Sequence, residues 1–314
     1  MAQTTPIRRK KKSFSRIVWQ NKTLLLMCAP AVIFFFIFSY MPMPGAYIAF
    51  TNFKYNLGIW KSPFVGFTNF KFLFISGQLS LLLKNTILYN LAFIVVGNMV
   101  QLLFAILLNE VQSRWFKKIA QSMMFLPYFI SDVLVSLLVY NLLNFDFGFI
   151  SNTVRNLGGV MPKIYQQPNS WPALIVLVNV WKGTGYGTVV YLAAITGIDT
   201  SMMEAAQIDG ANGFQRIRYI TLPCLRPTVV ILFLFAIGGI LKGNFGLFYN
   251  LVGNNTMLHR TTDIIETYVY RAMMNNFNFS QSSAVGLFQS VVGFFIVLTA
   301  NAVVKKIEPD YSLF

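Results

Sequence analysis

Six separate stretches of this chain, each 20 or more residues long, consist almost wholly of apolar side chains: about 23–43, 85–109, 120–143, 171–198, 227–252 and 284–304. A helix rises about 1.5 Å per residue, so about 20 apolar residues cover the roughly 30 Å hydrocarbon core of a bilayer. A water-soluble globule has no use for six such stretches. The composition agrees, with 55% of the 314 residues hydrophobic and 11% charged, against roughly 25% charged in a soluble domain. The fold class expected is therefore an all-α integral membrane protein with six transmembrane helices. The fourth and fifth stretches each carry one lysine and several glycines, which is tolerable where helices face one another or a wet cavity.

The net charge of +15 must then be located. A nucleic-acid footprint would gather on one face with aromatics between the charges, whereas an orientation signal alternates from loop to loop. Segment 1–22 holds Arg8, Arg9, Lys10, Lys11, Lys12, Arg16 and Lys22. Arg114, Lys117 and Lys118 follow the second span, Arg216, Arg218 and Arg226 the fourth, and Lys305 and Lys306 the last. That places fifteen cations on one side and eight on the other, where Lys54, Lys61, Lys71, Lys84, Arg155, Lys163, Arg260 and Arg271 lie. Both termini are expected in the cytoplasm, and no nucleic acid is expected as a partner. Residues 23–43 exceed the roughly 7–15 residues of a signal-peptide core and show no small-residue cleavage site, so they read as an uncleaved first span. The expected organisation is a basic cytoplasmic segment 1–22, a six-span domain 23–304 and a cytoplasmic tail 305–314.

Enzyme chemistry is absent from the pattern. There is no phosphate-binding GxxxxGK[ST] loop, nucleophile elbow or HExxH pair. The glycines of Lys182-Gly183-Thr184-Gly185-Tyr186-Gly187 alternate inside an apolar span with no preceding strand. Cys28 lies in a span and Cys224 in a cytoplasmic loop, and His259 reads as an isolated, exposed loop histidine. No disulfide, metal or bound cofactor is expected.

Residues 199–226 are more specific. Ser201 and Glu204 have the spacing of a capping box, which starts a short helix at about Met202. Gly210 can end it in the left-handed conformation. A second helix fits Asn212 to Ile220, and Pro223 and Pro227 are expected to stop it and open the fifth span. Met202 and Met203, with the small pair Ala205 and Ala206, suit a surface that docks another protein. Glu204-Ala205-Ala206, three residues, Gly210, nine residues, Ile220, one residue and Leu222-Pro223 match in full the EAA loop of permease subunits of binding-protein-dependent ABC importers. The chain thus resembles the type I importer permease core. Tyr40-Met41-Pro42 through Gly66-Phe67-Thr68-Asn69-Phe70 is similar to the sugar branch of that family, among permeases for complex oligosaccharides.

The resemblance implies a multi-pass subunit of the bacterial plasma membrane, surrounded by lipid. Its implied partners are a second and different permease chain, two ATPase subunits and an extracytoplasmic solute-binding protein. ATP and Mg would be held by the ATPases and nothing by this chain. Met202, Met203, Glu204, Ala205, Ala206, Asp209 and Gly210 would form the coupling element in a cleft of the ATPase, with Glu204 meeting a basic group there.

Three ionisable groups fall inside spans, each costing roughly 2.5–3.5 kcal/mol unless paired or hydrated. Asp132, near the middle of the third span, heads a stripe with Tyr128, Ser136, Tyr140 and Asn144 at four-residue spacing. Lys182 shares a face with Asn179 and Tyr186, Lys242 one with Gly238, Gly239, Gly246 and Tyr249, and Asn98 and Gln101 add a polar pair to span two. Asp132 could bridge to one lysine while the glycines only allow close packing. One lysine would still remain, and Lys182 or Lys242 would line the path and favour anionic, uronate-containing oligosaccharide. Tyr128, Tyr140, Asn179, Tyr186, Asn98 and Gln101 are the further path candidates. The alternative, an ion-gradient-driven transporter or channel, calls for several intramembrane acids or repeated halves. Only Asp132 qualifies as a mid-span acid, and no repeat is evident.

Overall fold

A computed structural model describes residues 19–307, so most of the basic segment 1–22 and the tail beyond 307 lie outside the described residues. Within them the chain is helical, apart from one isolated antiparallel bridge between Thr51 and Phe64. Five helical segments are long and apolar enough to cross a membrane, and a sixth arises if one bent pair counts as a single span.

Helix α1, Lys22–Phe35, buries none of its residues. It continues through a π turn, Phe36–Tyr40, into the 3-10 helix Met43–Phe50. Asn69 explains the Gly66–Phe70 element, because its side-chain amide donates to the carbonyls of Ala49 and Thr51 at 2.9 and 3.0 Å and ties the following loop to that 3-10 helix. Helix α2, Gln78–Glu110, has 33 residues, about 50 Å of helix.

The third apolar stretch is not one helix. Helices α3, Arg114–Phe129, and α4, Asp132–Leu143, meet at 98°. Ile130 and Ser131 are extended, and the Ser131 hydroxyl accepts from the Leu134 N–H. Asp132 follows in the first turn of α4, where the helix dipole favours a carboxylate. The stripe expected along this stretch is accordingly broken. Tyr128 lies before the bend, and Asn144 caps the end of α4, its side chain accepting from the N–H groups of Asp146 and Phe147.

Helix α5, Trp171–Thr196, opens with Pro172 in its first turn and packs on α2 and α3. A Cβ on Gly185 would overlap the backbone of Met124 and Phe125, and one on Gly187 would overlap the Gln101 side chain. The alternating glycines therefore serve close helix packing. Helix α6, Thr200–Ile208, lies in the loop that follows.

The fifth stretch also departs from expectation. Pro223 and Pro227 do not end a helix: Gly213–Arg216, a π turn at Ile217–Thr221 and helix α7, Leu222–Gly238, run on as one segment of 26 residues. Proline lacks an N–H and crowds the preceding turn, and a widened turn just before Pro223 accommodates it. The helix then stops at Gly238, well short of 252. Residues 239–244 form a break, and a separate helix, α8, covers Phe245–Val252. Lys242 therefore shares no helix face with Gly238, Gly239, Gly246 and Tyr249. Helix α9, Ile265–Met274, and helix α10, Phe279–Ile307, follow as the last helices among the described residues, and α10 carries Lys305 and Lys306 in its last turn.

Among the described residues, three buried clusters hold this arrangement. Tyr89 of α2, Val135 and Val139 of α4, Trp171 and Ile175 of α5, and Leu247 and Phe248 of α8 form the largest. Leu79 and Leu82 pack with Ile265, Ala284 and Val285, and Ala105 packs with Tyr191, Ile195 and Leu225.

Candidate functional site

The chemistry-bearing residues gather at two places, the loop around α6 and the broken helices in the interior. At α6 the N-cap is Asp199, whose carboxylate accepts from the Ser201 N–H at 2.9 Å; Ser201 is helical, and the capping box expected with Glu204 does not form. That backbone hydrogen bond, with one from the Ser201 side chain, holds the Asp199 carboxyl below its usual range. A capping box does occur at Asn212, which exchanges hydrogen bonds with Gln215 at the start of the second helix.

Gly210 closes α6 at φ +79°. The Ala211 N–H donates to the Ala206 carbonyl and the Gly210 N–H to that of Gln207, the paired bonds of a Schellman ending. None of α6 is buried: Met202, Glu204, Ala205, Asp209 and Gly210 are exposed, Met203 and Ala206 half-buried. Ile208 is 87% exposed, an apolar side chain left uncovered on a rigid element.

In the interior, Asp132 at the start of α4 pairs with Lys182 of α5, their side chains 23% and 19% exposed. A Cβ on Gly246 of α8 would overlap the Asp132 carboxylate, so three elements meet on this pair. One helical turn along α5, the rings of Tyr186 and Tyr128 stack at 5.2 Å and 15°, both exposed. Asn179 is half-buried on the same face of α5.

Asn98 and Gln101 instead tie α2 to α5. Asn98 Oδ1 accepts from the Tyr191 hydroxyl at 2.7 Å, and Gln101 Nε2 donates to the Gly183 carbonyl at 3.3 Å. Tyr140 packs its ring against those of Phe147 and Tyr165. Lys242 is exposed in the break between α7 and α8, and no ion pair joins it to an acid among the described residues. On α8 and α9, the rings of Phe245, Tyr249 and Tyr270 lie within 5.1 Å of one another.

Sequence reasoning missed the segment between α8 and α10. Asp263, 2% exposed, pairs with Arg271 and accepts from the Thr267 hydroxyl at 2.6 Å. Glu266, in the first turn of α9, is half-buried, a further acid besides Asp132 and Asp263. Its signal was the helical spacing of Ile265, Val269 and Ala272, in a stretch too short and polar to register as a span. His259 is half-buried rather than exposed. Burial first, then the charge of Arg271, lowers its pKa, and Asp263 opposes them. No group of three or more metal-ligating side chains occurs among the described residues.

The sequence model of the family described as "Binding-protein-dependent transport system inner membrane component" matches residues 101–311. Protein LplB of Bacillus subtilis (strain 168) is 35% identical over 93% of this chain and 91% of its own length. The polygalacturonan/rhamnogalacturonan transport system permease protein YteP of the same organism is 36% identical over 95% and 92%. A crystal structure of a bacterial alginate ABC transporter, in complex with a periplasmic protein holding an alginate pentasaccharide, contains a chain with TM-score 0.84 and 33% identity. The match covers 94% of this chain and 98% of that one. Members of this family are membrane permeases, and ATP hydrolysis is carried out by separate subunits, so a gradient-driven carrier is set aside. This chain belongs to the binding-protein-dependent transport system inner membrane components, the permease subunits of ABC transporters.

Proposed function

We propose that this chain is the membrane-spanning subunit of an ATP-driven importer that passes acidic oligosaccharide from an extracytoplasmic binding protein to the cytoplasm by alternating access. It would work with a second, different permease chain and with two ATPases that hold ATP and Mg. The observation that carries the acidic substrate is Lys242. Asp132 takes Lys182, so one of the two intramembrane lysines is left exposed at a break in the fifth apolar stretch. An ammonium facing lipid there would cost about 2.5–3.5 kcal/mol, and irregular backbone at membrane depth is tolerated where it lines a wet cavity or is buried in protein. A hydrated path carrying carboxylates satisfies both conditions. Two relatives are named for polygalacturonan/rhamnogalacturonan and for alginate, polymers with uronate carboxylates.

Phe245, Tyr249 and Tyr270, with the Tyr128–Tyr186 stack, would supply the apolar faces against which sugar rings slide. The Asp132–Lys182 pair would brace the wall behind them. Met202 to Gly210 would dock in the ATPase, with Glu204 meeting a basic group. Both termini would be cytoplasmic, with α3 and α4 counted as one crossing of six.

The test uses the complete importer in liposomes with trigalacturonate and its fully methyl-esterified, uncharged analogue. Lys242→Gln is expected to raise KM for trigalacturonate about tenfold, the equivalent of 1.4 kcal/mol, and to leave the ester within about twofold. An unchanged preference for the acid in Lys242→Gln would refute the assignment.

A further inference from the structure

Residues 239–244 leave the helix inside an apolar stretch, where backbone groups freed from the helix find no partner in lipid and need another. Gly239 and Lys242 close a tight turn, the Lys242 N–H donating to the Gly239 carbonyl at 2.7 Å. Around that turn, three side chains from three other helices take up three further backbone groups. The Ile240 carbonyl accepts from Asn90 Nδ2 of α2 at 3.0 Å. The Leu241 carbonyl accepts from Gln289 Nε2 of α10. The Gly243 N–H donates to Glu266 Oε1 of α9 at 2.7 Å.

Gln289 Nε2 also donates to that same Glu266 oxygen at 2.7 Å. Glu266 and Gln289 are thus one hydrogen-bonded unit that grips the backbone on both sides of Lys242, the residue before it by its carbonyl and the residue after it by its N–H. Leu241 is buried, and a Cβ on Gly243 would overlap Ile264 and the Glu266 carboxylate. The peptide is pinned on both flanks while the Lys242 side chain is exposed. Glu266 makes no ion pair with Lys242, so it grips the backbone and leaves the ammonium unpaired.

We propose that Glu266 and Gln289 are positioning residues for Lys242: they hold its peptide so that the ammonium points into the path, and acid selectivity depends on them although neither touches the sugar. This rests on the assignment of Lys242 to the path. A cation fixed beforehand loses little freedom when a carboxylate arrives, whereas a cation on a loose loop spends part of the interaction on ordering.

The experiment measures KM and kcat of the reconstituted importer for trigalacturonate and its methyl-esterified analogue. Glu266→Ala and Gln289→Met are expected to raise KM for the acid about tenfold, with kcat and the ester within about twofold. Glu266→Gln, whose amide oxygen still accepts from Gly243, restores the wild-type value. Adding Glu266→Ala to Lys242→Gln changes nothing further, because the ammonium it serves is gone. If Glu266→Ala is not recovered folded, Gln289→Met decides alone. Equal losses on acid and ester would mean a general structural role and overturn the inference. So would an intact acid preference in Glu266→Ala and Gln289→Met where Lys242→Gln abolishes it. An intact preference in Lys242→Gln itself overturns the path assignment beneath.

Discussion

Asp132 and Lys182 lie 50 residues apart in the chain, and each is a poor guest in an apolar interior unless it finds the other. Removing one partner of a buried pair leaves a charge uncompensated at a cost of roughly 3–5 kcal/mol, while replacing both with apolar groups is often neutral. Each side chain keeps about a fifth of its surface exposed, so the low end of that range applies. Asp132→Asn alone is expected to cost up to about 3 kcal/mol in detergent unfolding, and Asp132→Asn with Lys182→Met to recover most of it. Simple addition of the two single effects would mean that the pair contributes no coupling. The sequence singles out these residues but not their pairing, because both lysines were available to one acid. What decides between them is the bend before Asp132, which puts the carboxylate in the first turn of α4, within reach of Lys182 on α5. Glu266 was less legible still, since its partners Gly243 and Gln289 lie 23 residues away in either direction.

At the scale of elements, the long apolar stretches were readable because burial in lipid demands length, and four of them appear near their expected places. The two breaks were not, because a window of twenty residues averages across them. Their signals are local: Ser131-Asp132 is a helix start, and Gly238-Gly239 followed by Gly243-Asn244 is a stop and a new cap, the Asn244 side chain accepting from the Leu247 N–H at 3.1 Å. The error at Pro223 runs the other way, since a proline that usually ends a helix is absorbed by a π turn. Helix α6 was legible in position because its ending depends on Gly210 alone, and only its cap was misread, by two residues. An element that buries nothing contributes little to the bundle, so Glu204→Lys is expected to shift monomer stability by less than about 0.5 kcal/mol. The same change should cut copurification of the ATPase at least about tenfold, through a reversed charge at the docking face. Recovery of wild-type amounts of ATPase with Glu204→Lys would remove Glu204 from the coupling interface, and deletion of Met202 to Gly210 would then show whether the rest of α6 docks at all.

At the scale of the whole molecule, the decisive ambiguity is whether the bent pair α3 and α4 crosses the bilayer or turns back, because 98° is compatible with either. The charges favour a crossing. Arg114, Lys117 and Lys118 stand at the start of α3, and after α4 only Arg155 and Lys163 follow before α5, the asymmetry that orients a span. Tyr55 lies between the first and second apolar segments and is 89% exposed, and Gln207 is exposed on α6. Between these two positions the chain passes α2, the bent pair and α5. If the pair crosses, the two positions are on opposite faces of the membrane; if it turns back, they are on the same face. With Cys28 and Cys224 replaced by serine, an impermeant maleimide applied to intact cells is expected to label Tyr55→Cys and to reach Gln207→Cys only after the cells are opened. Leu157→Cys, 83% exposed just beyond α4, should label from outside. Labelling of Gln207→Cys in intact cells together with Tyr55→Cys would make α3 and α4 a re-entrant pair and leave five crossings. The termini would then face opposite sides, and the excess of cations that orients the chain would no longer account for its fold.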